Sequence, residues 1–220
     1  MTYVLHINPG ASDADYIVKT LGQNVILAKA VTATGGDSLA GGNTTNVGWV
    51  SFAPMANNAV SWEEQYTLYA SLTTIEEGHT ISQDTPLGGN ADMGVYYDFD
   101  GAAFTRNSTQ KPPSDTAYWV RNKSEGSVKK AYTFGLAQTS TMSAEGRDDG
   151  SSPLCAVTLG PGEQASFVPE ERVSVFLDKY QNNGTVILHA WSNPCEVTLV
   201  DGTPVTLLFD RDSSSFYEKN

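Results

Sequence analysis

The chain has 220 residues and a formal charge of −12, from 13 Lys and Arg against 25 Asp and Glu. That length is enough to bury a sizeable core, which excludes a disordered chain, and no basic stripe exists to release counterions from a phosphate backbone. Nucleic acid is therefore not an expected partner, and an anionic membrane would repel the net charge.

Short β-rich runs recur between turn signals from one end of the sequence to the other. In chain order they are Tyr3–Ile7, Asn24–Ala33, Gly48–Phe52, Gln65–Leu72, Val95–Phe99, Ala117–Arg121 and Lys130–Thr139. The remainder are Leu154–Leu159, Gln164–Val168, Arg172–Leu177, Thr185–Trp191, Glu196–Val200 and Val205–Phe209. Their β-branched and aromatic enrichment, with 22 Thr and 20 Gly alongside, predicts an all-β, mainly antiparallel β-sandwich. About a dozen strands and at most one or two short helices are expected, in a single domain over residues 1–220.

One helix is expected over Ser12–Leu21, opened by a Ser or Asp cap. Ser61–Ser71 fits both periodicities, and its Tyr and Thr content favours a strand. Asn183-Gly184 and Asp201-Gly202 each separate two apolar runs, so the C-terminal third reads as an antiparallel meander with Val173, Val175, Leu177, Val186 and Leu188 facing the core. Asp100-Gly101 marks a further turn after Val95–Phe99. Gly35–Asn46, Asp84–Gly94, Thr105–Asp115 and Ser140–Pro153 are long loops.

The first residues lack the charged and apolar regions of a signal peptide, and no apolar run reaches the roughly 18 residues of a membrane helix. A cytoplasmic location is expected, with no transmembrane segment. Cys155 and Cys195 form neither a zinc pattern nor a disulfide framework. The four Asn-x-Ser/Thr sequons are no more than this Asn-, Ser- and Thr-rich composition produces by coincidence.

Catalytic signatures are scarce. His6, His79 and His189 stand in no metal-binding or triad pattern, and His189 falls inside an apolar run. Gly36-Asp37-Ser38-Leu39 resembles the nucleophile block of the Gly-Asp-Ser-Leu hydrolases, but the Asp-x-x-His that would activate Ser38 does not occur. A hydrolase using Ser38 is thus the third-ranked reading. Carboxylates gather at Asp92, Asp98 and Asp100 and again at Glu145, Asp148 and Asp149, a donor type that suits hard cations. The plain alternative is a solvated acidic loop and an Asp-Gly turn. Met1, Asp98, Asp100 and Glu145 are the candidate metal ligands; Met1 is otherwise explained by pairing of the first strand.

Aromatic residues are the richest functional signal, because Trp and Tyr supply large apolar faces with polar handles. Tyr96-Tyr97 and Tyr118-Trp119 place adjacent rings on opposite faces of a sheet, so one of each pair points away from the core and needs cover from a loop, a partner or a ligand. With Trp62 and Tyr66 they form the candidate ligand-binding set, against the plain reading of core filling and cross-strand pairing.

The stretch Val47-Gly-Trp-Val-Ser-Phe-Ala-Pro-Met-Ala-Asn-Asn-Ala-Val-Ser-Trp-Glu-Glu-Gln-Tyr-Thr-Leu-Tyr-Ala-Ser, together with Tyr132-Thr-Phe-Gly-Leu-Ala-Gln and Gly160-Pro-Gly-Glu-Gln-Ala-Ser-Phe-Val-Pro, resembles a group of leaderless mushroom fruit-body proteins. The resemblance implies a non-enzymatic protein holding an indolone-type chromophore, with a divalent metal ion implicated. It transfers no pigment-contacting residue onto a particular position. The leading expectation is therefore a non-enzymatic protein that binds a small, flat, aromatic molecule with a metal, as a monomer or homodimer. The runner-up is a lectin or lipid-binding cytolysin, with glycan or lipid as partner, whose exposed Trp and Tyr stack on sugars or sit among headgroups.

Overall fold

The computed structural model describes residues 1–35, 47–142, 147–180 and 182–219, with the backbone alone at 147–149. Among them are eighteen strands: β1 Thr2–Ile7, β2 Asn24–Thr34, β3 Val47–Gly48, β4 Val50–Phe52, β5 Asn58–Glu63, β6 Thr67–Ser71, β7 Thr85–Pro86, β8 Tyr96–Phe99 and β9 Phe104–Asn107. The chain continues through β10 Tyr118–Asn122, β11 Tyr132–Met142, β12 Arg147–Pro153, β13 Val157–Leu159, β14 Gln164–Asp178, β15 Thr185–Val186, β16 Cys195–Thr198, β17 Val205–Asp210 and β18 Ser215–Glu218.

Two large sheets form. The first runs β18-β17-β1-β5-β11-β6-β7, with β12 and β13 on β11; the second runs β4-β2-β14-β10-β8-β9, with β16 on β14. The all-β class is as expected, but the sheets are mixed, because β1 pairs with β17 and β8 with β10 in parallel. Alternation places Leu5, Trp62, Leu68, Phe134, Leu136 and Leu207 of the first sheet against Val25, Leu27, Val31, Val120, Val173 and Val175 of the second. All are buried in one continuous core. Burying such aliphatic and aromatic side chains contributes roughly 1.5–3 kcal/mol each.

The ambiguous segment around Trp62 to Tyr69 is extended, as its composition favours, but it is broken. β5 and β6 both lie antiparallel to β11, with Trp62 opposite Ser140 and Thr67 opposite Ala137. Residues 63–66 thus stand against only 138–139, a bulge that lifts Glu64, Gln65 and Tyr66 out of the ladder. The long strand β14 has its own irregularity, since Pro169 pairs with Val31 and Val173 with Lys29, leaving 170–172 opposite Ala30.

The C-terminal third is not a meander. β15 pairs with β3 instead of β14, so Asn183-Gly184 does not join two hairpin strands. The Asp201-Gly202 turn forms, bracketed by a Val200–Thr203 bridge. Its arms then diverge, β16 to β14 in one sheet and β17 to β1 and β18 in the other. Val173, Val175, Leu177 and Val186 are buried as expected, whereas Leu188 is exposed and His189 lies in an open loop with its side chain 91% accessible. The turn after Phe99 does make a hairpin, β8 with β9.

The expected helix is present as Ala11–Asp15 continued by a π-helical turn, Tyr16–Leu21. Gly10 precedes it and no side chain caps it, which corrects the Ser or Asp cap. The start of the chain is held by strand pairing, Thr2 opposite Glu63, and by the Thr2 amide donating to Asp201 at 2.8 Å. Both cysteines are free, and no helix among the described residues is long and apolar enough to cross a membrane.

Candidate functional site

Along β2 the residues that point between the sheets are Val25, Leu27, Val31 and Ala33, and Lys29 shares their parity. Its side chain therefore enters the core, where the residue is 1% exposed. A buried ammonium is costly unless paired and hydrogen-bonded. The first sheet supplies the partners: Nζ donates to Tyr66 Oη at 2.6 Å and to Gln138 Oε1 at 3.4 Å, and lies 3.7 Å from the Glu64 carboxylate. The Tyr66 hydroxyl in turn donates to Glu64 Oε1 at 3.1 Å.

Three rings enclose the amine, with centroids at 4.9 Å for Tyr66, 5.9 Å for Tyr3 and 6.0 Å for Trp62. Their quadrupoles favour a cation at this point. The two bulges deliver the opposing charges, Glu64 from the break between β5 and β6 and Glu171 from the irregularity in β14, whose field also reaches Tyr3. Burial lowers the Lys29 pKa to about 8, and the fields of Glu64 and Glu171 offset part of that fall. Burial, with Glu64 adding to it, raises the Tyr66 phenol far above its usual range, so its hydroxyl stays protonated.

The surrounding shell is ordered by further contacts. Trp49 stacks edge-on against Trp62 at 5.1 Å and donates from Nε1 to the Gln138 carbonyl at 3.0 Å. Gln138 Nε2 donates to the Glu63 carbonyl at 2.6 Å, bridging the gap in the ladder. Two of the four buried side-chain polar atoms without a hydrogen-bond partner among the described residues lie in this shell, Trp62 Nε1 and Ser140 Oγ. They belong to residues paired across β5 and β11. Leaving such groups unsatisfied costs about 1–3 kcal/mol each.

On the outer side of the same break lies a groove of about 620 Å³. Thr67, Gln83, Asn90, Thr139, Thr141 and Ser151 give it a hydroxyl and amide lining, and Pro86 and Leu87 give it an apolar strip. Trp62 and Gln138 border both the groove and the lysine cage.

The six expected ligand-binding aromatics are all buried. Trp62, Tyr66, Tyr97 and Tyr118 belong to the main core, and Trp62 and Tyr66 meet at Lys29. Tyr96 and Trp119 do point away from it, as strand alternation requires, and pack with Ala117 in a separate cluster. Their cover is protein: Trp119 Nε1 donates to the Ser114 carbonyl at 3.0 Å, and the Arg121 guanidinium lies 4.2 Å from the Tyr96 ring centre.

Of the expected metal ligands, Asp98 accepts the two-pronged fork of Arg121, at 2.7 Å from Nη2, and the Asn107 amide at 2.8 Å. Burial pushes its carboxyl up, but these partners outweigh it and hold it below the ordinary range. Asp100 accepts the Ala102 and Ala103 amides at 2.9 Å, closing the hairpin turn. Asp92 pairs with Arg106. Met1 is exposed at the edge of the cage; its carbonyl accepts the Glu64 amide at 3.1 Å, and its sulfur lies 3.5 Å from the Tyr3 hydroxyl. These carboxylates are committed to other partners, and no group of three His, Cys, Asp or Glu side chains that could hold an ion occurs among the described residues. Ser38 and Glu145, with the side chains of Asp148 and Asp149, fall outside the described residues.

Lys29 itself escapes the sequence reading. Its one visible signal is a lysine in the middle of the apolar run Val25-Ile-Leu-Ala-Lys-Ala-Val. Comparison of the chain with protein-family models, curated proteins and solved structures finds no match.

Proposed function

We propose that this is a non-enzymatic binding protein whose small, polyhydroxylated ligand, of the glycan class, lies in the groove above the break between β5 and β6. The observation that carries this reading is the lining: Thr67, Gln83, Asn90, Thr139 and Thr141 border one cavity, together with Glu63 and an apolar strip. Its volume falls within the roughly 300–1,000 Å³ range of small-molecule sites. Several neutral donors and acceptors on a rigid sheet suit a ring bearing many hydroxyls, because each lost water contact is replaced. Calorimetric titration with a panel of neutral mono- and oligosaccharides tests it. Saturable binding that disappears in Thr139→Trp supports the reading, and no binding across the panel refutes it.

A flat pigment is the second reading. It is favoured by the stretch of resemblance that contains Trp62 and Tyr66 and by the unpartnered Trp62 Nε1 and Ser140 Oγ beside them. The absorption spectrum of protein purified from its natural source decides it, since a pigment requires a band at longer wavelength than the protein's own. The described members of the expected ligand set do not fit an ion, so no role in holding the pigment is derived for a metal.

A further inference from the structure

We propose that Lys29 is a carbonyl-capturing amine, which condenses with a small, flat, uncharged aromatic aldehyde or ketone to form an iminium inside the cage of Tyr3, Trp62 and Tyr66. The inference stands on the cage and is independent of what fills the outer groove.

Four observations converge on it. The amine is held in one place by Tyr66 Oη and Gln138 Oε1, so the nucleophile is already oriented. The contacts Lys29 to Tyr66 and Tyr66 to Glu64 form a continuous proton path from the ammonium to a carboxylate whose side chain is 25% accessible. The walls are aromatic, which suits a flat conjugated carbonyl. Trp62 Nε1 and Ser140 Oγ, at paired positions beside the cage, are buried donors with no acceptor, and a carbonyl oxygen would supply one.

The chemistry balances without an oxidant or reductant. Lys29 passes a proton to Tyr66 as Tyr66 passes its own to Glu64, leaving a neutral amine and a carboxylic acid. The nitrogen lone pair attacks the carbonyl carbon, a C–N bond forms, and the C=O π electrons move to oxygen. That oxygen collects the proton released from nitrogen, giving a carbinolamine. Glu64 then returns its proton to the hydroxyl, the C–O bond breaks, water leaves and the C=N bond forms. The net change replaces an ammonium by an iminium, so the cage still encloses one positive charge facing Glu64 and Glu171. With the titratable groups facing the amine being Glu64, Glu171, Tyr3 and Tyr66, a carboxylated carbonyl compound would be repelled, and an uncharged one is the class that fits. The lowered pKa of the amine leaves a larger share of free base near neutral pH than an exposed lysine has, with the ammonium still the major form below about pH 8.

The test is reductive trapping. The full chain is treated with limiting benzaldehyde and cyanoborohydride, and the benzyl group is located by peptide mapping. Lys29 is expected to be modified at least about tenfold faster than the exposed Lys19, with a rate that rises through pH 8, whereas surface lysines respond near their usual value of about 10.4. Benzoylformate, an anionic carbonyl, should label Lys29 far more slowly than benzaldehyde does. Tyr66→Phe, with its near-ultraviolet circular dichroism unchanged, should slow labelling at Lys29 at least about tenfold, as loss of a positioned proton carrier does. Labelling spread over surface lysines, with Lys29 modified only in denaturant, overturns the proposal. Equal labelling of Lys29 in wild type and Tyr66→Phe overturns the proton path.

Discussion

The Nζ of Lys29 and the Oη of Tyr66, 2.6 Å apart, join the two sheets through a polar contact inside an otherwise apolar core. Lys29 comes from a regular stretch of β2, and Tyr66 from the irregular link between β5 and β6. Had residues 63–66 continued the ladder in register with β11, Glu64 and Tyr66 would share the core-facing parity of Trp62 and Leu68. The bulge instead brings the Tyr66 hydroxyl to the amine and leaves Glu64 in partial contact with solvent.

The buried amine makes stability depend on pH in a defined direction. Lys29 binds its proton less tightly in the folded chain than in the unfolded one, so between about pH 8 and 10.4 the unfolded state holds more protons and stability rises with pH. Below pH 8 the burial cost is fully present. Relative to Lys29→Met, wild type should therefore gain up to about 3 kcal/mol across that window. Urea unfolding of both proteins at stepped pH measures the difference, and parallel curves would contradict the burial argument.

Arg121 clamps Asp98, Gln110 and the Tyr96 ring together. Arg121→Met leaves the Asp98 carboxylate partly buried with only Asn107 to satisfy it, at a cost of about 3 kcal/mol. Because the Asp98 carboxyl is held below its ordinary pKa, this stabilisation is present above pH 4 and is lost as pH falls through the depressed value. The gap between wild type and variant in chemical denaturation should thus narrow in strong acid.

Gly135 sits where β11 passes under the loop preceding β13. A Cβ there would overlap the carbonyl oxygen of Cys155, which already accepts the Tyr69 hydroxyl at 2.6 Å. Gly135→Ala should cost about 2–3 kcal/mol through overpacking and displacement of that bond. A shift in the thermal midpoint of only a degree or two would show that the backbone relaxes more easily than this packing allows.

Thr139 lies on the outer face of β11 and is exposed. Thr139→Trp fills the groove without touching the core, so ligand affinity should fall while stability changes by no more than about 0.5 kcal/mol. A variant that binds as tightly as wild type would place the ligand elsewhere.

Hydrophobic alternation and turn residues by themselves determined the β class, the strands β2 and β14, the turn after Phe99 and the rule that one ring of each adjacent aromatic pair points outward, because each rests on local geometry. That the outward rings are Tyr96 and Trp119, and that Phe104–Asn107 is a strand where a loop from Thr105 is expected, only the tertiary structure decided. The same local signals misplaced the strands around Asn183-Gly184 and Asp201-Gly202. A turn dipeptide fixes a reversal of direction, but not which sheet each arm then joins, and Cys195–Thr198 and Val205–Asp210 go to different sheets. The aromatic candidates were correct as a group of large side chains and silent about what covers them; the cover of Trp119 is the Ser114 carbonyl. Asp98 read as a free carboxylate because its partner Arg121 lies 23 residues away. The cage around Lys29 needed the tertiary structure altogether. It brings together Tyr3, Trp62, Tyr66 and Gln138 through bulges in two strands, and a bulge changes which face a residue occupies without leaving a mark in hydrophobic periodicity.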